Sequence, residues 1–271
     1  AHLTSRTPHS IAPYNTLLRC AAERADDQGA MRVLALLEEN FRKEVKADAI
    51  TYQLLLQTFG GAVASSDIEA GDEGATKGKQ VAASATSKDT RRKIIQSIFE
   101  DFLADGAQVA MPLDSAVLHT STPPTVTSVW NEFIRALFNL GDVPAGLAVF
   151  SKMIEKHSAA TAADVEASAS EKKIMALNAN APQPDKKTMA TLITGLVDVG
   201  NLQKAAEWYI KIRGLKDQGI PQPIRSASAG LLDALLGDKE RAIAAETKKE
   251  ALALLESELP AHSMPLPLAA K

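Results

Sequence analysis

Residues 129–153 read VWNEFIRALFNLGDVPAGLAVFSKM, two apolar helical stretches separated only by a Gly-Asp turn. A single helix–turn–helix is a hairpin; a recurring one is a repeat, and a repeat fixes the architecture of the whole chain. It recurs. Residues 13–45, PYNTLLRCAAERADDQGAMRVLALLEENFRKEV, start with Pro13 at a helix start, where its missing N–H costs nothing. Tyr14, Leu17, Leu18 and Ala21 follow as an apolar stripe at helical spacing, Ala25–Gly29 form the turn, and Val33, Leu34, Leu36, Leu37 and Phe41 are the expected buried face of the second helix.

Residues 49–59, AITYQLLLQTF, restart the pattern, and Tyr14 to Tyr52 is 38 residues, a period typical of stacked helical pairs. The partner helix is delayed by residues 60–89, rich in Gly, Ala and Ser with few large apolar side chains, which reads as a flexible insertion. It resumes at 91–106, with Ile94, Ile95, Ile98, Phe99 and Phe102 on one face. The third pair is the segment quoted first. A second Ala- and Ser-rich insertion spans 158–184, with a short helix expected near Glu171–Leu177. A fourth pair fills 184–219, its Gly200-Asn201-Leu202 turn matching Gly141-Asp142-Val143. A fifth, more charged pair at 224–258, turning at Gly237-Asp238, suits a terminal cap whose outer face meets water. The expected fold is all-α: an α-solenoid of about five antiparallel helix pairs in one domain, 11–258, with repeats at 11–48, 49–114, 127–185, 186–223 and 224–258.

Composition agrees with close-packed helices. Hydrophobic residues make up 45% of the chain but aromatics only 4%, so Ala and Leu supply much of the apolar content. A net charge of −3 gives no global basic footprint of the kind that marks many nucleic-acid binders. Cys20 is the only cysteine, which excludes a disulfide within the chain; its place among apolar positions favours a small buried side chain over a reactive thiol. His2, His9, His119, His157 and His262 form no i, i+4 pair, so no metal site is expected. No apolar run approaches the roughly 20 residues that a membrane span needs. The stretch before Glu23 lacks acids and contains Arg6, Arg19 and several Ser and Thr, a composition compatible with the tail of an organellar presequence.

The hairpins resemble the pentatricopeptide repeat family. TYQLLL at 51–56, PYNTLL at 13–18 and VWNEFI at 129–134 resemble the family's Thr-Tyr-Asn-Thr-Leu-Ile opening; GLAVFSKM at 146–153 resembles its second helix, and PQPD at 182–185 its close. The long insertions resemble those of divergent members from fungal mitochondria. The resemblance covers most of the chain outside the two insertions. It implies a right-handed superhelix that binds single-stranded RNA, one base per repeat, and a mitochondrial location. The first-turn polar residue of one repeat and the residue closing that repeat would converge on a base: Asn15 with Asp48, and Asn131 with Asp185, a combination that favours uracil in the family. The Asn amide offers the base a donor and an acceptor, and the Asp orients it or bridges through water.

Departures from the pattern accompany these matches. Gln53 takes the Asn place in the second repeat with Asp114 as its expected partner, Ala190 takes it in the fourth, and Glu23 and Asn139 stand where the family often has a phosphate-binding Lys. Structural roles weigh equally: the Asn residues as caps for first-turn N–H groups, the Asp residues as N-terminal charges on the following helix. Tyr14, Tyr52 and Trp130 suit inter-helix packing better than base stacking, and Arg91-Arg92-Lys93 a solvated face better than a phosphate contact. The leading function is an RNA-binding adaptor for mitochondrial transcripts, in stabilisation, processing or translation; the alternative is a scaffold that holds a protein partner in the same concave groove. No enzyme is expected, because there is no G-x-S-x-G, H-E-x-x-H, phosphate-cradling Gly loop or carboxylate cluster, and no cofactor is implied.

Overall fold

The computed structural model describes residues 10–41, 46–61, 87–104, 125–155, 181–237 and 243–258. Among them the chain is all-helical, with ten α-helices, a single 3-10 turn at Lys216–Gln218 and no strand. Most of each expected insertion (62–86 and 156–180), the short helix near Glu171–Leu177, Asp114 and Asp238 lie outside the described residues. The chain divides into two compact units, Ala1–Thr125 and Val126–Lys271, where the sequence reading has one domain over 11–258.

The first unit contains α1 (Ala12–Arg24), α2 (Asp27–Phe41), α3 (Ala49–Gly60) and α4 (Lys88–Ala104). Helix α1 carries Pro13 in its first turn and ends at Ala25, whose φ of 51° is left-handed. Asp26 then accepts the Gly29 N–H at 2.8 Å and starts α2, so the turn is tighter than the five residues Ala25–Gly29. Helix α3 is the centre of the unit: it packs against α1, α2 and α4, and nearly every residue from Ala49 to Gly60 is buried.

Two expected faces are rotated in the structure. Helix α1 buries Asn15, Leu18 and Ala21, spaced by three along one face, while Leu17 is 51% exposed. Cys20 lies on the exposed side too, which corrects the buried thiol expected from its apolar neighbours. The stripe is set by the angle toward α3, and it takes a polar Asn in preference to a Leu. Helix α2 buries Ala30, Val33 and Leu37 but leaves Leu36 44% exposed. In α4, Ile95, Ile98, Phe99 and Phe102 are buried and Ile94 is half-buried.

The second unit contains α5 (Val126–Asn139), α6 (Val143–Glu155), α7 (Lys186–Asp198), α8 (Leu202–Gly214), α9 (Arg225–Gly237) and α10 (Ala245–Glu258). The first two turns share one device, Gly141 at φ 81° and Gly200 at φ 74°, where a side chain would be strained. Helix α5 packs against α6 and α7, α7 against α8 and α9, and α8 against α10, so each first helix touches both its own partner and the next first helix. The Phe138 ring is fully buried between Gly146 and Gly195, where an added Cβ would come within 2.5 and 2.3 Å of it. Helix α10 is held to α8 by Glu258, which accepts from the Tyr209 hydroxyl and pairs with Arg213; burial pushes the Tyr209 phenol above its ordinary pKa.

Candidate functional site

The two Asn–Asp pairs expected from the sequence are brought together in the structure, each at the start of a helix. Asp48 is the N-cap of α3, extended at φ −115° and ψ 179°. Its Oδ1 accepts the Thr51 N–H at 2.8 Å while its own N–H donates to Thr51 Oγ1 at 3.2 Å, so two donors at the helix end are satisfied reciprocally. Asn15, on α1, donates Nδ2–H to both carboxylate oxygens, at 3.1 and 3.3 Å. The Thr51 hydroxyl closes the set by donating to Asn15 Oδ1 at 2.7 Å, with Asp48 Oδ1 at 2.9 Å as its other acceptor. Asn15, Asp48 and Thr51 are 5, 3 and 0% exposed. A charge this deeply buried is tolerable because its oxygens are hydrogen-bonded and it sits at a helix N-terminus.

The second pair repeats the frame and differs in the closure. Asp185 is the N-cap of α7 at φ −113° and ψ 179°, and it forms the same box with Thr188 at 2.7 and 3.0 Å. Asn131, on α5, donates to Asp185 Oδ1 at a longer 3.4 Å. Here the Thr188 hydroxyl donates to Asp185 Oδ1 at 2.9 Å, and Asn131 Oδ1 is buried with no hydrogen-bond partner among the described residues. The direction of the amide is chemically fixed, since its oxygen turned toward a carboxylate would be repelled. Asp185 is half-buried, in contrast with Asp48.

The remaining expected positions are scattered. Gln53 is half-buried on α3 and Ala190 is buried on α7, where it offers no polar group. Glu23 is exposed and Asn139 half-buried late in their helices. Tyr52 packs edge-on against Phe102, with centroids 5.3 Å apart, and Trp130 is fully buried, so both pack between helices. Arg91 corrects the expected solvated face: it is buried and paired with Asp27 at 2.6 Å, joining α4 to α2, while Lys93 is exposed. Thr51 and Thr188 were not among the expected site residues, although Asp-x-x-Thr at 48–51 and 185–188 is a readable capping signal.

No cluster of His, Cys, Asp or Glu that could hold a metal ion is found among the described residues. Among them, too, no helix is long and apolar enough to cross a membrane. No family model matches the chain, and a search of curated proteins finds no relative.

Proposed function

We propose that this chain is an RNA-binding helical-repeat protein of the pentatricopeptide type, a right-handed solenoid of five helix pairs that acts on mitochondrial transcripts. The observation that carries the reading is the recurrence of one Asn–Asp arrangement in two hairpins, with the carboxylate holding the amide Nδ2 in the same sense each time. An amide held in that way presents its oxygen as an acceptor. At Asn131 that oxygen is unpaired, and it suits the N3–H of a uracil read on its Watson–Crick edge. The atom is buried in the RNA-free chain, so reading requires the side chain to turn outward. Binding is tested with a uridine-containing strand against its adenine-substituted counterpart at low salt. Asn131→Ala is expected to remove base discrimination of about 1–3 kcal/mol.

The second reading, a protein-binding scaffold, is favoured by the Asn15–Asp48–Thr51 set, whose groups already satisfy one another, and by the net charge of −3. Equal affinity of the unaltered chain for both strands, or no RNA binding at low salt, selects it.

A further inference from the structure

The helix pairs that pack along their length in the first unit are α1–α2, α1–α3, α2–α3 and α3–α4. Helices α2 and α4 meet instead through Asp27 and Arg91, which lie near their N-terminal ends. Beyond that ion pair they stand apart and leave a groove of about 530 Å³. Leu34 and Leu37 form one wall, Ile94 and Ile98 the other, and Tyr52 and Leu55 of α3 the floor. Met31, 49% exposed, stands on the rim. At the other end the groove is bordered by Glu38 and Asp101, close to where α2 and α4 finish, and no Lys or Arg lines it among the described residues. The carboxylates and the negative ends of two helix dipoles therefore place one sign of charge at one end of an apolar trough.

We infer that this groove docks an amphipathic helix of a partner protein, with apolar side chains between α2 and α4 and a Lys or Arg beside Glu38 and Asp101. The trough suits apolar anchors one helical turn apart, and the charge at its end selects a basic helix over an acidic one. The same charge repels phosphates, so the surface is suited to protein and not to RNA. The inference is independent of RNA binding elsewhere on the chain.

The test uses the full chain and two fluorescent peptides of about four helical turns, one of Leu and Lys in amphipathic register and the other with Glu in place of each Lys. The Lys peptide is expected to bind about tenfold more tightly than the Glu peptide. Met31→Glu and Ile94→Glu, at exposed and half-buried positions, should each weaken the Lys peptide several-fold with unchanged circular dichroism, and Glu38→Lys combined with Asp101→Lys should reverse the preference. Equal binding of the two peptides overturns the proposal, as does Lys-peptide binding that ignores Ile94→Glu, which would be general attraction to an acidic chain. Self-association of the chain abolished by Met31→Glu also overturns it, since the occupant would then be a second copy.

Discussion

The Asn15 and Asn131 sites are built to one plan and finished differently. Both place an Asn from one hairpin against the N-cap Asp of the next first helix, and both close that cap with a Thr three residues on. At Asn15 the Thr hydroxyl reaches the amide oxygen, every partner is buried, and α1 is tied to the start of α3. At Asn131 the Thr hydroxyl turns to the carboxylate, the amide bond is longer, and one buried acceptor is left over. The same three residue types thus form a tie in one unit and an incomplete network in the other. A satisfied buried network adds stability, whereas an orphaned acceptor costs about 1–3 kcal/mol unless something supplies it with a donor.

The largest expected difference comes from removing the carboxylates. Asp48→Ala deletes an N-cap and strands the buried Asn15 amide and Thr51, for a combined cost of about 3 kcal/mol. Asp185→Ala deletes an equivalent cap but a weaker amide bond, for about 1 kcal/mol. Urea denaturation of the two variants measures the gap. Equal losses would mean that the Asn15 bonds add nothing beyond the cap.

How much of this was legible in the sequence depends on the range of the interaction. Helix positions follow from local periodicity, and the four residues Asn15, Asp48, Asn131 and Asp185 were visible through the repeat pattern. The rotation of α1 was not, because Leu17 and Leu18 are equally apolar and only the direction of α3 decides which one is buried. Arg91 was misassigned for the same reason: its partner Asp27 is 64 residues away, in a different hairpin. The difference between the two Asn sites rests on which way a Thr hydroxyl points, and Asp-x-x-Thr is written identically at both.

The hydroxyls provide the next contrast. Thr51→Val removes the acceptor for the Asp48 N–H and the donor to Asn15 Oδ1, leaving two buried groups unpaired at a cost of about 2 kcal/mol. Thr188→Val removes the acceptor for the Asp185 N–H and a bond to a half-buried carboxylate, for about 1 kcal/mol. A double-mutant cycle of Thr51→Val with Asn15→Ala should give a coupling of about 1 kcal/mol, because the two groups bond directly. Additive losses would show that the Thr51 proton stays on Asp48.

The smallest effect is the most discriminating, because it changes sign. Replacing a buried polar side chain by an apolar one of similar size costs stability when its partners are left unpaired, and costs little when it was poorly satisfied to begin with. Asn15→Leu strands the buried Asp48 carboxylate and Thr51 hydroxyl, whose remaining bonds are to each other and to backbone, so a loss of about 1–2 kcal/mol is expected. Asn131→Leu removes an acceptor with no partner and a 3.4 Å bond to a carboxylate that is half-buried and still held by Thr188, so its expected change is within about 0.5 kcal/mol of zero, and a gain is allowed. Thermal melts of the two variants, each against the unaltered chain, compare them. A loss at Asn131 as large as the one at Asn15 would mean that its amide oxygen has a partner in solution and that both sites are ties. A neutral Asn131→Leu that also abolishes the preference for uridine would mean that the residue is kept for its ligand rather than for the fold.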